Sequence, residues 1–243
     1  MATNNQIKSR DRVREQGEVF TAEREVNAML DLVKQETERI DSRFLEPACG
    51  DGNFLIKILE RKLDRVEQLY RASRRQWEQY AMVAVCSIYG IELMEDNLRE
   101  CRERLYQYVV ERSKALPYCG EPSEEWLRSV RFVITRNICW GNALTMQEPV
   151  PDGASRQEQL DAPHIVFSEW GFTLNGMVKR HDYIFRELIP ENKPDRDDIF
   201  AEPREALVSD QGQEAFIPES CQQFTPIKYY KLYIQEDGNT SKL

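Results

Sequence analysis

Twelve consecutive residues, Phe44-Leu45-Glu46-Pro47-Ala48-Cys49-Gly50-Asp51-Gly52-Asn53-Phe54-Leu55, constrain this chain more than any other stretch. They place an acidic residue, a proline and two glycines two apart in one tight turn, directly before an amphipathic run. Glycine takes positive φ at no steric cost and lets a ligand approach bare backbone. The first N–H groups of the following helix have no partner inside the helix and form a polar rim around the turn. A dinucleotide-binding turn reads G-x-G-x-x-G and favours a pyrophosphate. Here the third glycine is missing, and Glu46 would repel phosphate but could hold a cation. The turn therefore predicts a strand–turn–helix unit that cradles a positively charged nucleoside. The plainer alternative is a G-x-G turn kept only for packing.

Short apolar segments alternate with long amphipathic ones along the chain, which predicts an α/β fold with a largely parallel sheet. Val26, Met29, Leu30 and Val33 recur at helical spacing from Glu23 onwards. Phe44-Leu45 ends a strand, and Asn53 opens a helix carrying Leu55, Leu59, Leu63 and Val66. A second helical run reaches Tyr80 to Cys86, a strand at Ile88 to Ile91 ends at Glu92, and Asp96 is a candidate cap for the next helix. Trp126 to Ile134 reads as a helix, Asn137 to Trp140 as a strand, and Met146 to Pro163 as a long polar loop. The fourth strand is expected at His164 to Phe167, ending at Ser168. The last strands fall near Met177 to Tyr183 and Ile227 to Ile234, and the polar stretch from Pro190 to Glu205 reads as mobile. We expect a single domain over 1–243, with 1–40 as its N-terminal helical part and no separate target-recognition domain.

Composition bounds the function classes. Hydrophobic residues make up 41% of the 243, which is globular, and no stretch approaches the roughly 20 apolar residues of a membrane span. The N-terminus lacks the apolar core of a signal peptide, and six cysteines without C-x-x-C spacing predict reduced thiols in a cytoplasmic protein. Two distant histidines offer no metal centre, so no metal is expected. Net charge is −9, awkward for a protein gripping DNA alone, because lysine and arginine supply most phosphate affinity. Arg71, Arg74 and Arg75, and Arg99, Arg102 and Arg104, form basic clusters that read either as solvated helix faces or as DNA contacts needing a partner.

The string E-P-A-C-G-D-G-N-F-L resembles motif I of the N6-adenine DNA methyltransferases, particularly the modification subunits of type I and fused type IIG restriction systems. In that family the turn cradles S-adenosylmethionine. The resemblance assigns Glu46, Pro47, Ala48, Cys49, Gly50, Asp51, Gly52, Asn53 and Phe54 to the cofactor. Three further segments follow the same family pattern. Gly17-Glu18-Val19-Phe20-Thr21 resembles motif X, usually G-x-x-Y/F-T/S-P, and implies that Phe20 and Thr21 close over the methionine part. Ala22 stands where many relatives have proline. Thr21 can equally be a helix cap and Phe20 a core residue. Tyr89-Gly90-Ile91-Glu92-Leu93 resembles motif II, with Glu92 accepting both ribose hydroxyls and Leu93 packing on adenine. Asn137 to Leu144 resembles motif III, with Asn142 bonding the adenine amino group and Ala143 offering its backbone N–H. Gly141-Asn142 can also be a plain β-turn. The implied fold is a class I methyltransferase, Rossmann-like, with a mostly parallel sheet of the seven-stranded type flanked by helices.

The resemblance stops short of the chemistry. The family orients the target amine with D/N/S-P-P-Y/F/W after the fourth strand, the aromatic ring stacking on the flipped base. At the matching place stands Phe167-Ser168-Glu169-Trp170-Gly171-Phe172, without prolines. Ser168, Glu169 and Trp170 are the candidate catalytic residues of a variant loop, or else a degenerate remnant in which Trp170 is core. Two functions follow from the resemblance: adenine-N6 DNA methylation, reaching DNA through a complex with a specificity or second methyltransferase subunit, or a catalytically inactive cofactor-binding subunit partnering an active enzyme. Methylation of RNA or protein is a third.

Overall fold

The computed structural model describes residues 21–116, 120–151, 153–173, 175–189, 207–208, 214–215 and 218–237. Phe20 and the whole stretch 190–205, expected to be mobile, lie outside them. The elements run α1 (Glu23–Asp31), α2 (Lys34–Thr37), β1 (Phe44–Glu46), α3 (Asn53–Tyr70), α4 (Arg74–Cys86), β2 (Ile88–Glu92), α5 (Glu95–Lys114), α6 (Glu124–Asn137), β3 (Ile138–Trp140), α7 (Arg156–Leu160), β4 (Val166–Phe172) and β5 (Met177–Ile184). Four two-residue strands complete the order: β6 (Leu207–Val208), β7 (Glu214–Ala215), β8 (Gln222–Gln223) and β9 (Ile227–Lys228). A 3-10 helix, Tyr229–Asp237, follows β9.

β1, β2 and β3 form a parallel sheet in that order, with Glu46 opposite Gly90 and Glu92 opposite Trp140. Parallel neighbours need long crossovers, and α3 with α4, then α5 with α6, supply them. α3 buries Leu55, Ile58, Leu59, Leu63 and Val66, the three- and four-residue spacing of one helical face. Each fully buried leucine of that stripe contributes roughly 2 kcal/mol. Trp77 on α4 and Trp126 on α6 are fully buried, and their ring centroids lie 5.9 Å apart.

One buried position of the α3 stripe is charged. Lys62 is fully buried, and its Nζ donates to the carbonyls of Arg39, Ile40 and Ser42 at 2.9, 3.1 and 2.6 Å. Burial pushes its ammonium down to about 7, against the pull of Asp41. This side chain ties the segment after α2, which leads into β1, onto the back of α3.

The expected seven-stranded, mostly parallel sheet is not what the described residues form. β4 and β5 make an antiparallel hairpin in a second sheet, joined by β8 and β9 through β5. The reason is local. Gly176, at φ 67°, turns the chain straight back after β4, with Gly176 N–H donating to Thr173 O at 3.0 Å. A hairpin of this kind is antiparallel, whereas a parallel neighbour needs a crossover. Three smaller corrections accompany this. The fourth strand runs through Ser168 to Phe172 instead of ending at Ser168, the polar loop holds α7, and most of Ile227 to Ile234 is 3-10 helix. Among the described residues no helix is long and apolar enough to cross a membrane.

Candidate functional site

The turn after β1 is built around two left-handed glycines, Gly50 at φ 53° and Gly52 at φ 92°. Gly52 is the N-cap of α3 and carries no side chain to cap it, and the opening amides of the helix point to the rim of the turn. A Cβ on Gly52 would also lie 2.8 Å from the Cys101 Sγ on α5, so the turn packs too closely there for any side chain.

The turn is laced to the end of β2 by backbone and carboxylate. Cys49 N–H donates to Ile91 O at 3.0 Å, and Gly50 N–H donates to Glu92 Oε2 at 2.8 Å. The other Glu92 oxygen accepts Met94 N–H at 2.8 Å. Gly141 N–H, just past β3, donates to the Glu92 carbonyl at 3.0 Å. Glu92 is buried, with one backbone donor on each oxygen. A carboxylate has about four acceptor positions, so the two amides orient it and leave capacity for a diol.

Glu46 ends β1 beside this point. Burial raises its carboxyl above the ordinary carboxylate range, while the Ala48 N–H bonded to it pulls the other way. A half-buried carboxyl under that strain is relieved by an incoming cation. Cys49 is no nucleophile: the hydrogen bond with the Cys101 thiol, then burial, drive its thiol far above its usual range. The sequence-expected set Glu46, Pro47, Ala48, Cys49, Gly50, Asp51, Gly52, Asn53 and Phe54 thus meets Glu92 and Leu93 at the carboxyl ends of β1 and β2. That is where open α/β sheets bind ligands.

Asn142 joins them, but in the turn reading rather than the free-amide one. Its Oδ1 accepts Leu144 N–H at 2.9 Å and Thr145 N–H at 3.4 Å, and Met146 N–H closes onto its carbonyl at 2.7 Å. The oxygen expected to receive an adenine amino group is therefore engaged locally, and the Asn142 NH₂ and the Ala143 amide are the groups that remain to meet a base. Thr21 is not the cap of α1. The N-cap is Ala22, whose own N–H donates to the Glu25 carboxylate at 3.2 Å. The Glu23–Lys57 ion pair at 2.8 Å brings this segment to the first turns of α3.

Two residues that the sequence did not assign to the site also lie at this end of the sheet. Arg104, read from the sequence either as part of a solvated helix face or as a DNA contact, donates to the Asp51 carbonyl at 2.6 Å and to Asn53 Oδ1 at 3.1 Å. Trp140 ends β3 with its indole N–H on the Leu93 carbonyl at 2.9 Å. Arg102, from the same cluster, donates to the Ile138 carbonyl at 2.6 Å. Helical spacing from Cys101, which faces Gly52, was the available signal for Arg104.

The expected catalytic residues stand apart from this cluster. All three lie within β4 rather than in a loop. The Ser168 hydroxyl donates to Asp182 Oδ1 at 2.7 Å and accepts from Arg180 Nε at 3.1 Å, and all three residues are buried. Trp170 is buried, with Nε1 donating to Asn137 Oδ1 at 2.9 Å. Glu169 pairs with Arg43 at 2.6 Å and lines a groove of about 430 Å³ with Phe44 and Phe185. The Tyr89 hydroxyl donates to the Ser168 carbonyl at 2.9 Å. Arg43 precedes β1, Tyr89 is the second residue of β2, and Asn137 precedes β3. The triplet therefore touches the amino ends of the three parallel strands, while Glu46, Glu92 and Asn142 sit at their carboxyl ends.

No family model matches the chain, and no curated protein or solved structure matches it.

Proposed function

We propose that this chain binds S-adenosylmethionine in a class I methyltransferase-like pocket and acts as the cofactor-holding subunit of a DNA adenine-methylating complex. The observation that carries the cofactor is the Gly50–Glu92 bond at 2.8 Å, which joins the glycine turn to an acid at the neighbouring strand end. Glu92 would take the ribose hydroxyls, Leu93, Asn142 and Ala143 the adenine, and Glu46 the cationic methionine end. The resemblance of the twelve-residue turn supports S-adenosylmethionine over a pyrophosphate nucleotide, as does the acidic lining.

Burial of Ser168 and Trp170 at the far end of the sheet favours the inactive-subunit reading over a self-sufficient enzyme. Catalysis loses about a hundredfold for a misplacement of roughly 1 Å, and these groups face the opposite strand ends. Target binding and amine orientation would then fall to a partner chain, in keeping with a net charge of −9. Calorimetry with S-adenosylmethionine tests the pocket; the absence of heat at millimolar cofactor would refute it. Tritiated-methyl transfer to unmethylated DNA, with and without co-expressed partners, tests the role. Transfer by the isolated chain would overturn the subunit reading.

A further inference from the structure

We infer that Trp140 forms a wall of the base subsite, contacting the purine of the nucleoside that Glu92 anchors. This rests on the cofactor reading above and adds a residue that the family resemblance does not name. Glu92 and Trp140 are register partners in adjacent parallel strands. Partners of that kind send their side chains from the same face of the sheet. The indole therefore stands beside the carboxylate at the carboxyl end, where the ribose would lie.

Its orientation is fixed. The indole N–H is held by the Leu93 carbonyl at 2.9 Å, so the ring is anchored to the residue that follows Glu92. The backbone behind it is equally constrained: a Cβ on Gly141 would fall 2.4 Å from Ile165 Cδ1, so the exit from β3 is packed against that side chain. A tryptophan held this way is a ready platform, because its immobilisation precedes ligand binding.

Exposure separates Trp140 from the other three tryptophans. Trp77 and Trp126 are fully buried and Trp170 is 6% exposed, whereas Trp140 is 39% exposed, much like its neighbour Leu93 at 38%. A large aromatic and an aliphatic residue, joined by the indole bond to the Leu93 carbonyl, thus stay partly open at the carboxyl ends of β2 and β3. A flat heterocycle seated beside Glu92 would cover part of the exposed surface of each. Stacking of a base on an aromatic side chain is tolerant of base identity, so Trp140 would supply affinity for a flat base, and the choice of a purine would fall to the base-edge contacts of Asn142 and Ala143.

The experiment uses the full chain and its own fluorescence. Acrylamide quenching should report mainly Trp140. Saturating adenosine or S-adenosylhomocysteine should cut that accessibility by at least half, whereas methionine should leave it unchanged. Trp140→Phe should remove the protectable signal, and Trp140→Ala should weaken S-adenosylhomocysteine about tenfold. Calorimetry on the same sample separates the two claims. Cofactor binding without any change in Trp140 accessibility would overturn this inference and leave the pocket intact, whereas absence of binding would remove both. The quenching measurement on the unaltered chain decides the matter even where a variant fails to fold.

Discussion

Arg104 on α5 grips Asp51 of the glycine turn twice, with Nη1 2.7 Å from the Asp51 Oδ2 and 2.6 Å from its backbone carbonyl. The same guanidinium reaches Asn53 Oδ1 at 3.1 Å through its other nitrogen. One side chain therefore holds the residue between the two left-handed glycines and the first residue of α3. The planar fork of arginine suits such multiple attachment, which lysine could not reproduce.

Arg104→Met should loosen the turn without unfolding the protein. Surface ion pairs contribute little to global stability, roughly 0–1 kcal/mol, and Arg104 is 36% exposed. Pre-ordering of the turn, by contrast, enters directly into ligand affinity. The expected result is an unfolding midpoint within a few degrees of the parent and S-adenosylmethionine binding weaker by about tenfold. Equal affinity by calorimetry would show that the clamp serves packing alone.

Glu46→Gln should move stability and affinity in opposite directions. Its carboxyl titrates above the ordinary range because burial opposes its charge. In the unfolded chain it ionises at lower pH, so as pH rises from the unfolded value through the folded one, the site loses stability. The amide removes that penalty and still accepts the Ala48 N–H. Thermal midpoints near neutral pH should therefore rise slightly, while affinity for a cationic cofactor falls. In the parent, affinity should decline as acid protonates Glu46, beginning at higher pH than for an ordinary glutamate. A pH series of calorimetric titrations checks both; parallel pH profiles for parent and variant would remove Glu46 from the site.

Much of the α/β frame could be read from the chain because its signals are local. The apolar stripe of α3 and the strand ending at Glu92 depend on spacing within one element. The turn depends on glycines whose backbone angles need no distant partner. The hairpin was not legible, because β4 looks like any short apolar strand until its turn and pairing partner are known. Ser168 and Trp170 illustrate the limit best. Each is polar or amphipathic, so its type fits a catalytic loop, yet Asp182 and Asn137 satisfy them in the interior. Those partners lie 14 and 33 residues away, beyond any local pattern.

Asp182→Asn should therefore destabilise the fold rather than disable a donor site. Asp182 accepts from Ser168, from Arg180 at 2.7 Å and from Arg136 at 3.1 Å. Arg180 is itself enclosed by rings, with Phe224 at 3.9 Å from its guanidinium carbon. Removing one partner of a buried pair strands the remaining charge and costs about 3–5 kcal/mol. Urea unfolding should show a loss of that order, with S-adenosylmethionine affinity unchanged under folding conditions. Lost affinity in a folded variant would mean that the two ends of the sheet are coupled.

Lys62→Met supplies the last test, because its effect should grow with pH. The parent ammonium, buried on α3, titrates at about 7, whereas an unfolded lysine titrates at ~10.4. Between those values the unfolded chain holds a proton that the folded chain has released, so stability from this site rises with pH. The variant has no such proton to release. It also leaves the carbonyls of Arg39, Ile40 and Ser42 without their donor. That loss alone should cost about 1–3 kcal/mol. Urea midpoints measured from about pH 7 to about pH 10 should thus show the gap between parent and variant widening steadily. A gap independent of pH would mean that Lys62 stays charged throughout. Three carbonyl acceptors would explain that outcome, since a neutral amine donates only two hydrogen bonds. The slope of the gap therefore decides whether burial or the carbonyl cage governs the charge of the lysine that ties the lead-in to β1 onto α3.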